Sequence, residues 1–316
     1  EYTEDEKRSG KMSALLRPVT KEKFPVGTFT DAEFCGDAPF PGFATRVTAF
    51  IKGDAGGIVR FWVSENLSGA TGDQDSSLGS LQRRGGNWNK HEVVSVPPPG
   101  QGAGKQRMCV LLGVEGSNRA WIDDVTFTKL DLQTIPAGQP LALENLDMET
   151  SQRGTLKNWA LNAGLASPPK EGFELIADSK TKRSGRSSLR LTTDVPLQQP
   201  PGDSADYCLD VNPVLGETLR IAGWIKTDVA EGAGGVFGIS AFPFTAAEVP
   251  TITPEVVLER GDSYATHVFI RNAPDWSQYE VITFVPKSTV NLCIEIRLDQ
   301  VGSVWADDLT VEVIDL

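Results

Sequence analysis

The chain has 316 residues, 40% of them hydrophobic and 23% charged, the balance of a globular protein long enough for two cores of ordinary domain size. A formal charge of −12 argues against a nucleic-acid groove, which needs clustered Lys and Arg to release phosphate counterions, and is unfavourable for anionic lipid. No apolar run approaches the roughly 20 residues that a membrane-spanning helix requires, so no transmembrane segment is expected, and the acidic balance leaves neutral ligands or proteins as the expected partners.

Taken in order, the chain repeats itself. Arg8-Ser-Gly-Lys returns as Arg183-Ser-Gly-Arg, Ala32-Glu-Phe-Cys35 as Ala205-Asp-Tyr-Cys208, and Thr45-Arg-Val-Thr-Ala-Phe-Ile-Lys52 as Leu219-Arg-Ile-Ala-Gly-Trp-Ile-Lys226. Trp88-Asn-Lys-His-Glu-Val-Val corresponds to Trp276-Ser-Gln-Tyr-Glu-Val-Ile, Cys109 to Cys293, and Trp121-Ile-Asp-Asp124 to Trp305-Ala-Asp-Asp308. Six matches in the same order mean two copies of one module. The spacing between copies grows between Lys226 and Trp276, which places an inserted loop around residues 245–262. Prolines and a glycine in 132–140 suit a linker, giving a first domain over 1–131 and a second over 141–316. The second copy opens with Asn145-Leu-Asp-Met-Glu149 and Trp159, for which the first has no counterpart, so the first copy is expected to lack its N-terminal strands. That expectation fits either a natural protein cut inside its first module or a reduced first copy.

Alternation with period two through 46–51 and 280–285, β-branched residues, and frequent Gly and Pro between runs indicate half-buried antiparallel strands and few helices. The fold class is therefore all-β, with a two-sheet antiparallel sandwich in each copy. Ser-Gly before a strand reads as a turn, with Gly10 and Gly185 able to take positive φ. Trp121 and Trp305 are expected to close one end of each sandwich. The carboxylates of Asp123-Asp124 and of Asp307-Asp308 are expected on opposite faces of their strands, which prevents each pair from acting together as acid and base.

Four cysteines at equivalent places suggest one bridge per copy, Cys35–Cys109 and Cys208–Cys293; the alternative is four reduced thiols in a cytosolic protein. The two histidines, His91 and His267, are not at ligand spacing from any cysteine, so zinc has little support. The chain carries no nucleophile elbow and no phosphate-cradling glycine loop ahead of a helix, and a catalytic role is not expected.

Asn145-Leu-Asp-Met-Glu149, Trp159, Ser184-Gly-Arg-Ser-Ser-Leu-Arg190, Leu219-Arg-Ile-Ala-Gly-Trp-Ile-Lys226, Trp276 and Trp305-Ala-Asp-Asp-Leu309 together resemble jelly-roll carbohydrate-binding modules of the galactose-binding-like fold. The chain is also similar to jelly-roll domains that precede catalytic domains in bacterial secreted peptidases and esterases. The resemblance implies a non-catalytic module, carbohydrate-binding, within a larger secreted or periplasmic bacterial protein. The rival is a structural or protein-interaction domain accessory to an enzyme and without sugar binding. Rings that would stack on pyranose faces are Phe242, Phe244, Tyr264 and Trp276 in the second copy and Trp62 and Trp88 in the first; Trp88 and Trp276 each start the same repeated strand and could instead pack. The resemblance further implies a structural calcium held by Glu149 and Asp308, set against a simple hydrogen-bonded aspartate. The first copy keeps Asp124 without the glutamate.

Overall fold

Val47, Ala49 and Ile51 are buried while Arg46, Thr48 and Phe50 between them are half-buried, so the sequence alternation becomes two faces of one strand. The computed structural model describes residues 2–3, 8–9, 13–17, 29–55, 58–67, 75–99, 106–115, 118–164, 168–196, 202–229, 234–248, 263–271 and 273–316. Among them there is no α-helix, and the only helical turns are of 3-10 type, at Asn212–Val214 and Ala246–Glu248.

The first copy comprises β1 (Tyr2–Thr3), β2 (Ser13–Leu16), β3 (Phe29–Asp37), β4 (Ala44–Gly53), β5 (Ile58–Leu67), β6 (Asp75–Arg84), β7 (Asn89–Ser95), β8 (Gln106–Glu115) and β9 (Ala120–Leu130). The second opens with four short strands, β10 (Gln139–Pro140), β11 (Ser151–Gln152), β12 (Thr155–Leu156) and β13 (Ala160–Leu161), followed by β14 (Phe173–Asp178). It continues as β15 (Ser188–Thr193), β16 (Asp203–Cys208), β17 (Thr218–Val229), β18 (Gly234–Phe242), β19 (Ser263–Arg271), β20 (Ser277–Phe284), β21 (Asn291–Leu298) and β22 (Gly302–Ile314). Strands β2 to β9 correspond one for one to β15 to β22. β1 pairs β2 as the end of β14 pairs β15, with Thr3 opposite Ser13 and Asp178 opposite Ser188.

One sheet of the first copy has the order β1-β2-β9-β4-β7, and its counterpart the order β14-β15-β22-β17-β20. Apart from the consecutive pairs β1-β2, β5-β6, β14-β15 and β18-β19, successive strands from β1 to β9 and from β14 to β22 cross between this sheet and the opposing one, β3-β8-β5-β6 in the first copy and β16-β21-β18-β19 in the second, which is jelly-roll connectivity. The sequence gives no sign that the opposing sheets are continuous. β6 and β19 pair antiparallel from Ser77–Val268 to Gln82–Ser263, fusing them, with β13 beside β16, into a single nine-stranded sheet that leaves neither edge open at the seam. Buried Tyr264 donates its hydroxyl to the carbonyl of Glu92 across the same seam, at 2.8 Å.

The segment expected to be a linker also packs. Leu132 and Ile135 join Ala44, Val94, Val96, Ile282 and Ile314 in an apolar cluster shared by both copies. Gln139 and Pro140 pair with Val313 and Glu312 of β22 as an edge strand, where the proline's missing N–H matters little. The lengthened loop follows β18; its first residues, 245–248, include a 3-10 turn, and 249–262 lie outside the described residues.

Two local expectations are corrected. Trp121 and Trp305 do not plug the end of the sandwich. Trp305 lies opposite Arg190 and Lys226 on the face turned away from the core, buried, with Arg190 over its ring and Nε1 donating to Asp178 at 2.9 Å. Trp121 lies under Lys52 and Arg119 in the same way.

The carboxylates of each Asp pair do converge, because alternation breaks there. The β17/β22 and β4/β9 registers shift beside the pairs, and Asp308 and Asp124 take φ of 49° and 51°. Asp307 then accepts the amides of Arg183, Ser184 and Asp308, while Asp308 accepts the Arg183 guanidinium and Ser184 Oγ. Asp123 and Asp124 grip Arg8 and Ser9 identically. The guanidinium also covers an aromatic ring in both copies, Arg183 over Trp224 at 3.9 Å and Arg8 over Phe50 at 3.2 Å. The Asp pairs are thus turn anchors, and Gly10 lies outside the described residues, while Gly185 has φ of 53°.

Candidate functional site

The fused sheet presents one continuous outer face, and a polar row crosses it in each copy. Along β21 the residues Leu292, Ile294, Ile296 and Leu298 point to the core, so Cys293, Glu295 and Arg297 point outward. Cys208 and Asp206 of β16 lie directly opposite Cys293 and Glu295. The same register in the first copy sets Cys35 opposite Cys109, with Glu33 and Asp31 further along β3. Both cysteine pairs are disulfides, each joining adjacent antiparallel strands on this face.

A glycine opens the row in both copies. A Cβ on Gly238 would strike the His267 ring, and its absence lets His267 of β19 cross β18 to Glu295 of β21, 3.3 Å away. A Cβ on Gly113 would strike Arg60 and Asp31; its absence lets Arg60 of β5 cross β8 to grip Asp31 of β3 with two bonds of 3.2 and 2.6 Å.

The two rows differ in access. In the second copy the row is closed over. Burial alone would raise Glu295, but His267 and Arg297 outweigh it and hold the carboxyl down at about 2. Asp206, 4% exposed, accepts Gly164 N at 2.7 Å, and burial, aided by the charges of Glu295 and Asp203, pushes its carboxyl up to about 6. In the first copy the row is open. Trp62 is half-buried beneath the Arg60 guanidinium at 4.5 Å, and Asp31 and Glu33 are exposed beside it. With the Arg60 guanidinium drawn off the ring, this juxtaposition of ring, guanidinium and carboxylates on the outward sheet face can stack on an apolar sugar face while bonding its hydroxyls.

The other aromatic candidates do not gather around it. Tyr264 is 3% exposed and spends its hydroxyl on Glu92, because its strand parity with Thr266, Val268 and Ile270 turns it into the core; burial pushes its hydroxyl far up. Phe244 is buried and stacks on half-buried Phe242, centroids 5.0 Å apart. Trp88 and Trp276 stand half-buried just ahead of β7 and β20, at equivalent points of the two copies. Sequence reading missed Arg60, Asp31 and Glu33, although the alternation of β3 and β5 puts them on the face of Trp62.

The oxygens of Glu149 and Asp308, the expected calcium ligands, face hydrogen-bond donors. Glu149 accepts the amide of Arg186 at 2.7 and 2.9 Å and that of Ser187 at 3.3 Å; burial opposes ionisation, yet these amides keep the carboxyl below its usual range. Asp308 faces the Arg183 guanidinium and Ser184 Oγ. Calcium needs six to eight oxygens converging on one point, whereas these carboxylates are taken up by N–H and O–H donors, so the arrangement does not fit the ion. Gly185 is required here, since a Cβ would collide with the Glu149 carboxylate. Among the described residues the one close cluster of three potential ligands is Glu33, Cys35 and Cys109, and its cysteines are bridged to each other.

No protein-family model matches the chain, and no curated protein matches it in sequence. Among solved structures it is similar to the N-terminal CBM22-1–CBM22-2 tandem domain of Xyn10C from Paenibacillus barcinonensis, at 15% identity and a TM-score of 0.38, covering 100% of this chain and 91% of that one. It is also similar to the C-terminal family 22 carbohydrate-binding module of Xyn10B from Clostridium thermocellum, at 12% identity and a TM-score of 0.37, over 58% of this chain and 98% of that one.

Proposed function

We propose that the chain is a non-catalytic carbohydrate-binding module that takes a neutral polysaccharide on the outer face of its fused sheet, at Trp62. The reading rests on one observation: a half-buried ring on the outward face of the sheet, beside the Arg60 guanidinium and exposed Asp31 and Glu33. The surrounding donors and acceptors match sugar hydroxyls, and the acidic chain disfavours polyanions. Two disulfides in the jelly rolls support an oxidising compartment, secreted or periplasmic, and no described helix is long and apolar enough to cross a membrane. Calcium is not part of this reading.

Calorimetric titration of the intact chain with a panel of soluble neutral polysaccharides tests it. Saturable heat from at least one polymer, weakened about tenfold or more by Trp62→Ala as loss of base- or sugar-type stacking implies, is the expected result. Absence of heat from every polymer, or equal binding by Trp62→Ala, removes the reading. The rival, a protein-interaction domain, is favoured by a separate feature of the first copy, an exposed apolar groove.

A further inference from the structure

The repeat supplies an internal control for that groove. In the second copy the opening segment runs along the outer edge of β22, with Leu141 N donating to Val311 O and Leu309 N to Leu146 O, both at 2.9 Å. Its Leu146, Met148, Leu156 and Trp159 are buried; Trp159 meets Tyr207 edge-on at 5.4 Å, and the Tyr207 hydroxyl donates to Glu144 O at 3.0 Å. Beneath this cover Leu309, Val311 and Tyr207 are 4%, 1% and 5% exposed.

The equivalent residues of the first copy are Val125, Phe127 and Phe34, and they are 38%, 39% and 48% exposed. With Val110 and Ile122 they line an open, largely apolar groove of about 350 Å³. β2 accompanies β9 only along Ala120–Ile122, so among the described residues no strand lies beside that edge of β9 beyond Ile122. The polar groups at the groove's end, Asp123 and Asp124, are already held by Arg8 and Ser9, which leaves little for a sugar to bond.

The geometry points to this groove as a docking site for an extended peptide segment that adds to β9 as residues 139–146 add to β22. Such a segment bonds the backbone at Val125 and Phe127, sets apolar side chains at alternate positions into the groove, and brings an aromatic ring against Phe34. Burying three large exposed side chains together drives the association, and a contiguous apolar patch of this kind on a soluble chain marks an interaction surface. A second copy of the chain is the less suitable occupant, since each carries a formal charge of −12 and its own matching segment is already folded onto β22.

The test adds a synthetic peptide with the sequence of residues 138–161 to the intact chain. One-to-one binding by calorimetry, new hydrogen-exchange protection at the amides of 125–127, and at least about tenfold weaker binding by Phe127→Asp and Phe34→Asp are expected. Both variants should melt as the wild type does, because the substituted side chains are exposed. No binding at millimolar peptide, equal binding of a scrambled peptide, or protection confined to other strands would overturn the proposal. So would sedimentation showing a dimer that Phe127→Asp converts to monomer, which would make a second copy the occupant.

Discussion

Replacing Asp206 by Asn should stabilise the protein at neutral pH. The carboxyl is 4% exposed, its Oδ2 accepts one amide from Gly164, and its Oδ1 has no hydrogen-bond partner among the described residues. Burial first, then the neighbouring Glu295 and Asp203, lift it from an ordinary 3.8 to about 6. The folded chain therefore holds this proton more tightly than the unfolded chain. Its contribution is fully present below about pH 4, declines as pH rises to about 6, and is lost above that. A displacement of this size corresponds to at most about 3 kcal/mol at 1.4 kcal/mol per tenfold change. Asn keeps an acceptor for Gly164 and carries no charge, so at pH 7.5 Asp206→Asn should gain about 1–3 kcal/mol over the wild type, and much less at pH 4.5. Urea unfolding at the two pH values measures both quantities. Glu295, held down at about 2, acts in a separate window below about 4.5 and does not confound the comparison. An Asn variant no more stable at pH 7.5, with the wild-type slope of stability against pH, refutes the reasoning.

Three further outcomes follow from the packing. Arg183→Ala removes both a carboxylate pairing and a ring contact at an exposed side chain, so the second copy should lose about 1 kcal/mol in thermal or urea unfolding; an unchanged midpoint would show that the clamp is ornamental. Tyr264→Phe deletes the hydroxyl that bonds Glu92 across the seam, and should cost about 1 kcal/mol while leaving each copy folded by circular dichroism. Chelator should leave the melting temperature unchanged, because Glu149 and Asp308 are taken up by Arg186, Ser187, Arg183 and Ser184; a clear fall would restore a bound ion to the account.

The repeat carried most of what could be read from the sequence. Equivalent positions such as Trp121 and Trp305 occupy equivalent strands, β9 and β22, and the period-two alternation of 46–51 reports directly which side chains meet the core. Fusion of the sheets was not legible, because β6 and β19 join through backbone groups that every residue possesses. The Asp clamps depart from the expected alternation because a bulge interrupts it beside each pair. Arg8-Ser9 and Arg183-Ser184 recur with the Asp pairs in both copies, and that shared recurrence was the available signal. The inward turn of Tyr264 is only partly legible: both faces of β19 carry apolar residues, Val268 and Ile270 on one and Ala265 and Phe269 on the other, and the choice between faces is made by the core it meets.

The most direct test of sugar binding at the fused sheet is a crystal structure with an oligosaccharide of whichever polymer gives heat. The account predicts a sugar ring lying against Trp62 on the outward face, with hydroxyls bonded by Arg60 and Glu33. Ordered sugar on another surface, with Trp62 bare, would contradict it.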